Sequence, residues 1–226
     1  MKRIKDEYLA AILPIVDFNN AKILEIGCGD GGRSRQIAEK CGHLTAIEPD
    51  QSLLARAKSA NNLPNIDYLP GSASRLEFAD QTFDIIFYTL SFHHVPANEM
   101  IRAIDEAVRV VKPDGFVVFL EPTFDGSFFE SEIIFDGCDG DERKEKASAY
   151  AAMLGCRKLN EIAEVRDETI FFFDSVDDFI ASMRPKKGLR KDMEAFLRLH
   201  DFTLDAQRRI NVFKPVTSPD APASES

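Results

Sequence analysis

The sequence is poor in cysteine and has no long apolar run. Its four cysteines, at positions 28, 41, 138 and 156, are scattered. They form no C-x-x-C pair and show no spacing that a tetrahedral zinc site would use. This pattern is typical of reduced thiols in the cytoplasm, so we predict a cytoplasmic protein without a metal site.

No apolar run approaches the ~20 residues that a membrane-spanning helix needs. The first residues, MKRIKDEYLAAILPIV, place basic residues before an apolar stretch, but Asp6 and Glu7 interrupt it and Pro14 breaks it. No small-residue cleavage site follows, so we interpret this segment as an amphipathic helix rather than a targeting peptide.

Basic residues are outnumbered by acidic ones, 28 to 38, and the formal net charge is −10. This charge repels nucleic-acid phosphates and anionic lipid surfaces at long range. The basic segment at residues 184–191 is a local exception that we interpret as a solvated turn. The sequence therefore predicts neither nucleic acid nor membrane as a partner.

The length of 226 residues and the 44% hydrophobic content suit one globular domain. We predict a single domain over residues 1–216, with an N-terminal helix within residues 1–17. Residues 217–226, TSPDAPASES, have nothing to bury and are predicted to be a disordered tail.

Short apolar segments alternate with helical patterns through the first half of the chain. Five of them have the length and composition of buried strands: residues 22–26, 43–48, 66–69, 83–88 and 116–121. The alternation predicts an α/β fold with a doubly wound, mainly parallel sheet. Such sheets bind ligands at the carboxyl ends of their strands, near the point where the strand order reverses.

The alternation ends after residue 121. Residues 122–135 carry four phenylalanines that either pack an added helix or wall an apolar acceptor pocket, and a charged helix is predicted near 140–164. We interpret residues 122–200 as a helical insertion that covers the substrate. Residues 168–173 and 207–214 are predicted to be late strands that pair antiparallel, separated by helices near 175–184 and 190–200.

The segment ILEIGCGDGG, residues 23–32, places four glycines directly after the first buried strand. Gly27, Gly29 and Gly31 form G-x-G-x-G, whereas Gly27, Gly29 and Gly32 form G-x-G-x-x-G. A methyl-donor site and a dinucleotide site both use such a turn, because a Cβ would collide with a ligand held against the backbone. Glu48, at the end of the second strand, suits the ribose of either ligand.

Glu25 favours the methyl donor. It lies inside the first strand, just before the glycines. A carboxylate there can bind a positively charged amino group but would repel a pyrophosphate. An acid in a buried strand is also costly without a partner. We therefore expect S-adenosylmethionine as the cofactor, with an NAD-dependent oxidoreductase as the alternative.

Two later motifs follow in a characteristic order: FDIIFYTLSFHHV from residue 83 and RVVKPDGFVVF from residue 109. With the glycine segment, they make residues 23–121 resemble a class I S-adenosylmethionine-dependent methyltransferase, most closely the small-molecule group that includes quinone-biosynthesis enzymes. The resemblance implies a seven-stranded Rossmann-like sheet whose last strand is antiparallel. It also implies methyl transfer to a small-molecule acceptor, with S-adenosylhomocysteine as product; an S-adenosylmethionine-binding protein without catalysis is a further alternative.

The resemblance assigns roles to individual residues. The implied cofactor-binding positions are Glu25, Gly27, Cys28, Gly29, Gly31, Glu48, Asp50, Leu53, Ser72, Ala73, Thr89 and Leu90. In this scheme Glu48 binds the ribose diol, and Thr89 and Leu90 line the methionine side. Ser72 stands where the family usually places an acid for the adenine amino group, which leaves that recognition to the serine hydroxyl and the Ala73 backbone.

His93 and His94 follow the fourth predicted strand. Adjacent residues point apart on both helices and strands, and no further Cys or His cluster accompanies them, so they do not predict a metal site. One imidazole could instead take a proton from the acceptor, since histidine titrates near neutrality. His93 is the candidate catalytic base.

Overall fold

The computed structural model describes residues 1–216; the predicted disordered tail lies outside these residues. The strands are β1 Lys2–Asp6, β2 Lys22–Ile26, β3 His43–Glu48, β4 Ile66–Pro70, β5 Phe83–Thr89, β6 Val111–Pro122, β7 Leu159–Phe172 and β8 Thr203–Pro215. The helices are α1 Tyr8–Ile12, α2 Gly32–Ala38, α3 Gln51–Ala60, α4 Met100–Val110, α5 Ser127–Phe135, α6 Arg143–Gly155, α7 Val176–Met183 and α8 Arg190–Leu199, with a 3₁₀ turn at Phe92–His94.

One sheet contains all eight strands, in the order β1-β7-β8-β6-β5-β2-β3-β4. Strands β2 to β6 run parallel, while β8 pairs antiparallel with β6 and β7. The predicted α/β fold class, with its five parallel strands and its late antiparallel strands, is confirmed. The strand order reverses between β2 and β5, so the carboxyl ends of these neighbours open onto the crevice where such sheets bind ligands.

The sheet has eight strands rather than seven because the N-terminal residues form β1, where a helix was predicted. Strand β1 pairs antiparallel with the outer edge of β7, from Lys2 opposite Phe172 to Asp6 opposite Thr169. Helix α1 is confined to five residues, and Ile4, inside the segment predicted to be helical, is 60% exposed. The backbone groups of β7 need partners along this edge, and satisfying them outweighs the weak helical pattern of the segment.

The region after β6 holds the predicted helices but also a longer strand than expected. Helix α6 ends at Gly155, and the residues from Leu159 onward, predicted to be helical as far as 164, belong to β7. They pair with β8 along its whole length, from Leu159 opposite Pro215 to Phe172 opposite Thr203. Helices α7 and α8 lie where the sequence predicts them.

Apolar side chains cover both faces of the sheet. Ile23, Ile85 and Phe87 face one layer, packed against α1, α2 and α3, and their neighbours in the strands face the layer of α4 and α6. This alternation explains why the central strands are continuous apolar runs, since both faces are buried. Among residues 1–216, no helix has the length and apolar character required to cross a bilayer.

An aromatic stack fixes the turn that follows β5. The Tyr88 and Phe119 rings stack with centroids 4.8 Å apart, and the fully buried Phe92 packs at 5.1 Å and 4.9 Å from them. Aromatic pairs at these distances add to the stability gained from burial. Phe92 therefore anchors the 3₁₀ turn that carries His93 and His94.

Candidate active site

A cavity of about 730 Å³ opens at the carboxyl ends of β2, β3 and β5, where the strand order reverses. Its volume is within the range of small-molecule sites, roughly 300–1,000 Å³. Most of the predicted cofactor-binding positions lie on its wall: Gly27, Cys28, Gly29, Glu48, Leu53, Ser72, Ala73, Thr89 and Leu90. Glu25, Gly31, Asp50 and His93 do not.

The glycine turn is tied to β3 and presents backbone to the cavity. The N–H groups of Gly27 and Cys28 both donate to the Ile47 carbonyl, at 2.9 and 3.1 Å. A Cβ added at Gly29 would meet no protein atom within 4 Å, although its φ of +58° favours glycine. Gly31 differs, because a Cβ there would lie 2.5 Å from the Tyr68 hydroxyl. Gly29 thus borders ligand space, whereas Gly31 is a packing residue.

Cys28 is a buried member of the same turn. Its side chain is 7% exposed, and burial, with the carboxylates of Glu25 and Glu48, holds the pKa of its thiol well above the ordinary value. A thiol that stays protonated is a poor nucleophile. Cys28 can therefore contact a ligand through its main chain, but its thiol is not a candidate nucleophile.

Glu48 ends β3 with its carboxylate on the cavity wall. One oxygen accepts from the Gly29 N–H at 2.8 Å, and the other accepts from the Asp50 N–H at 3.0 Å. Each carboxylate oxygen can accept a further hydrogen bond, which leaves capacity for two hydroxyl groups. The side chain can hold the glycine turn and a ligand diol at the same time.

Asp50 has another role than the predicted one near the adenosine. It is exposed and caps α3, accepting from the N–H groups of Ser52 and Leu53 at 2.7 and 3.0 Å. Leu53, one turn into the helix, is the residue that reaches the cavity wall. The acid is needed at this position because an extended residue before a helix must satisfy free N–H groups.

Glu25 is fully buried beneath the wall rather than on it. Its two oxygens accept from the hydroxyls of Ser34 and Thr89, at 2.5 and 2.6 Å. Burial raises the pKa of its carboxyl, against the effect of these two hydroxyls. Contact with a ligand amino group stays a prediction; the described geometry has Glu25 orienting Thr89, which does line the cavity.

The two histidines lie differently with respect to the cavity. His93 is 4% exposed and off the wall, and its Nδ1 lies 2.5 Å from the Glu121 carboxylate. Burial lowers the pKa of His93, but the negative charge of Glu121 outweighs it and the net shift is upward. Because its ring is buried off the wall with Nδ1 engaged by Glu121, His93 does not face the cavity, and its role as the base stays a prediction. His94 lines the cavity instead.

Three arginines on the wall were missed by the sequence analysis: Arg3, Arg33 and Arg35. Arg33 is 15% exposed, and its ion pair with Asp6 is loose, at 3.7 Å. Within residues 1–216, the buried Nε of Arg33 and Nη1 of Arg35 have no hydrogen-bond partner. Unsatisfied buried donors favour an anionic ligand group here. No sequence motif identifies these arginines as a group. Arg3 reaches the cavity only through the pairing of β1 with β7.

Comparison with known proteins decides the family. A family model described as a methyltransferase domain matches residues 24–119. The chain is 25% identical over 191 residues to a malonyl-[acyl-carrier protein] O-methyltransferase of Pectobacterium atrosepticum, covering 84% of this chain and 71% of that protein. Residues 24–119 are thus a methyltransferase domain of the class I, S-adenosylmethionine-dependent type.

Two further comparisons involve a curated relative matched over part of its length and a solved structure. This chain is 25% identical to a phthiotriol/phenolphthiotriol dimycocerosates methyltransferase of Mycobacterium ulcerans over 52% of its own length, but spans less than half, 44%, of that protein. A putative methyltransferase from Bacillus halodurans has the same fold, with a TM-score of 0.68 at 16% identity over 94% of this chain and 100% of that one.

The cavity of the methyltransferase domain suits S-adenosylmethionine, the cofactor of its family. The open space beside Gly29 can take ligand atoms held against the backbone. The carboxylate of Glu48 can accept hydrogen bonds from a diol, and the unpaired Arg33 Nε can donate to a carboxylate. A pyrophosphate held against the glycine turn would lie near the Glu48 carboxylate. A carboxylate at the turn together with an arginine on the same wall favours a zwitterion with a sugar over a dinucleotide.

The loop that follows β4 and lines the cavity is clamped to α4. Arg109 donates to the carbonyls of Leu76 and Phe78, at 2.8 and 2.7 Å, and pairs with Glu106. Glu106 also accepts from the Leu76 N–H at 2.8 Å. Hydrogen bonding from Arg109, against partial burial, lowers the pKa of Glu106 to about 2. The clamp holds the loop that begins with Ser72.

Glu106→Gln is expected to reduce the free energy of unfolding at pH 7 by ~1–2 kcal/mol, after allowance for its partial exposure. A lowered folded-state pKa stabilises the protein above the unfolded value, 4.5, and this stabilisation is lost as pH falls towards 2. The difference between variant and wild type should therefore shrink over that range, measured by urea unfolding at several pH values. Glu77→Gln, at an exposed position of the same loop, is the control. If the difference in unfolding free energy between Glu106→Gln and the wild type did not change with pH, the lowered pKa of Glu106 would not be the cause.

Proposed function

We propose that the protein transfers the methyl group of S-adenosylmethionine to a small-molecule acceptor. The observation that carries the proposal is the placement of the Glu48 carboxylate and the open Gly29 backbone on one cavity wall, at the strand-order reversal of a methyltransferase domain. When bound, the sulfonium supplies an already activated methyl group. The protein is left to align the acceptor with it for in-line displacement and to exclude water, which can supply ~7–11 kcal/mol of the barrier.

Residues on the wall divide this task. Glu48 holds the ribose diol and fixes the glycine turn, while Leu53 with Ser72 and Ala73 encloses the adenine. Thr89, oriented by Glu25, lies at the methionine end. Because Arg33 has buried N–H capacity to spare, we assign the methionine carboxylate to it. No general base is part of the proposal, since a sulfonium methyl group reacts with a well-placed neutral nucleophile.

The acceptor side of the cavity is formed by His94, Val95, Pro96 and Glu99. The relatives named above are a phthiotriol/phenolphthiotriol dimycocerosates methyltransferase and a malonyl-[acyl-carrier protein] O-methyltransferase, which supports a small-molecule acceptor in this protein too. The wall is drawn from residues 3–99, so the insertion at 122–200 contributes no lining. Its phenylalanines pack elsewhere, with Phe135 in a cluster beneath α7 and α8. A substrate-covering role for the insertion stays a prediction.

The proposal is tested by two measurements on the full chain. S-adenosylhomocysteine should raise the midpoint of thermal unfolding, with ~2.7 kcal/mol of stabilisation at 100 times its dissociation constant, and NAD should not. Incubation with methyl-labelled donor and a metabolite extract should then yield a labelled small molecule. Stabilisation by NAD alone would support the oxidoreductase. Binding of S-adenosylhomocysteine without any transfer would support a non-catalytic binder.

A further inference from the structure

A cluster of possible metal ligands lies between the 3₁₀ turn and the start of α6. The carboxylate of Glu142 approaches His94 Nδ1 at 3.5 Å and His93 Nε2 at 3.8 Å. All three donor atoms lie within 4.8 Å of one another. In a tetrahedral site with ~2.1 Å bonds, neighbouring ligand atoms are ~3.4 Å apart. A bound ion would therefore require only a small contraction of this cluster.

The 3₁₀ turn explains how adjacent histidines can share one site. On a helix or a strand their side chains would diverge, which is why the sequence predicted no metal. Here the His93 and His94 rings lie 4.1 Å apart, centroid to centroid. Phe92, packed between Tyr88 and Phe119, holds the turn in place. The divergence expected of adjacent residues on a helix or a strand therefore does not apply to these two side chains.

Glu121 supplies the support that metal-binding histidines usually have. Its Oε2 lies 2.5 Å from His93 Nδ1, which leaves Nε2 of the same ring directed at Glu142. Glu121 is itself held by the N–H groups of Phe92 and His93, at 2.9 and 3.2 Å. A carboxylate on the second ring nitrogen fixes the tautomer and the orientation of a metal ligand.

The charges around the cluster are mixed. Lys146, which is buried, places its Nζ 3.7 Å from Oε2 of Glu142 and 3.6 Å from the centre of the Phe129 ring. The other oxygen, Oε1, faces His94. With Glu121, in contact with His93, the cluster holds two carboxyl groups against one ammonium and two imidazoles. Burial raises the pKa of the neighbouring Glu132 to about 8, so Glu142 and Glu121 are the carboxylates available to a divalent cation.

We propose that His93, His94 and Glu142 bind one divalent transition-metal ion of the zinc class. Imidazole and carboxylate ligands suit Zn²⁺ and its spectroscopic substitute Co²⁺. The ion would join α6, in the insertion, to the turn whose His94 forms part of the cavity wall. The proposal concerns metal binding alone, so it stands or falls independently of the methyl-transfer activity.

The test uses the full chain, stripped of metal with a chelator and titrated with Co²⁺ and then with Zn²⁺. We expect one ion per chain, ligand-field absorption from Co²⁺, and displacement by Zn²⁺ followed calorimetrically. Glu142→Gln, which keeps the side-chain shape, should weaken binding at least ~10-fold. Glu145→Gln, an exposed acid on the same helix, is the matched control and should bind as the wild type does.

Circular dichroism of each metal-free variant establishes that it is folded. Equal Co²⁺ affinity in wild type and Glu142→Gln would overturn the proposal. A sulfur-to-cobalt absorption band would also overturn it, because it would place the ion on a cysteine instead. Glu121→Gln gives a further readout: it should lower the affinity while leaving one ion per chain, as expected of a residue that orients a ligand.

Discussion

Replacing Glu48 by alanine is expected to weaken the binding of S-adenosylhomocysteine about 10- to 100-fold, or ~1.4–2.8 kcal/mol. The substitution removes the acceptor for the ribose hydroxyls. It also frees the N–H groups of Gly29 and Asp50, which Glu48 holds at 2.8 and 3.0 Å, so the glycine turn loses one of its attachments to β3. Isothermal titration of the purified variants measures the dissociation constant directly.

Two further variants separate the contributions of Glu48. Glu48→Gln keeps one acceptor oxygen and the side-chain volume, so its affinity should fall between those of the wild type and Glu48→Ala. Glu39→Ala changes an exposed acid at the end of α2 and should leave binding unchanged. An unaltered dissociation constant in Glu48→Ala, with the fold intact by circular dichroism, would remove the ribose assignment.

The parallel half of the sheet was predictable because its strands carry their own signal. Segments such as residues 83–88 are apolar on both faces, and helices of regular length separate them. Strand β1 carries no such signal: KRIKD is polar, and its pairing with Phe171 and Phe172 joins residues about 170 positions apart. Pairing of this kind depends on an edge that exists only once the rest of the sheet has formed.

The same distinction applies to the cavity. Gly27, Gly29 and Glu48 lie together on the cavity wall because their spacing fits one strand–turn–helix–strand unit, in which local geometry determines which residues meet. The position of His93 was not predictable, since it depends on Glu121 at the end of another strand. Arg3 joins the other arginines through β1, and Glu142 reaches the histidines from the start of α6. Both segments lie outside the strand–turn–helix–strand unit. Sequence patterns identify such residues only when a motif links them.

Gly29→Ala is expected to weaken ligand binding and Gly31→Ala to reduce stability, although the two glycines are two positions apart in one motif. At Gly29 the new methyl group meets no protein atom, so the fold should lose only the ~1–2 kcal/mol cost of a left-handed alanine. Cofactor atoms held against this backbone would collide with it, and the affinity for S-adenosylhomocysteine should fall about 100-fold, ~2.7 kcal/mol. Titration calorimetry and urea unfolding of the apo protein measure the two effects separately.

At Gly31 the added Cβ would lie 2.5 Å from the Tyr68 hydroxyl and 3.1 Å from the Ala57 side chain, inside the layer between α2 and α3. Overpacking and a positive φ together should reduce the free energy of unfolding by ~3 kcal/mol or more. The molecules that remain folded should bind S-adenosylhomocysteine with the affinity of the wild type. If Gly29→Ala bound S-adenosylhomocysteine as the wild type does, the ligand would not pass over this turn. The charge and hydrogen-bond complementarity of Glu48 and Arg33 would then have to serve a ligand held elsewhere in the cavity.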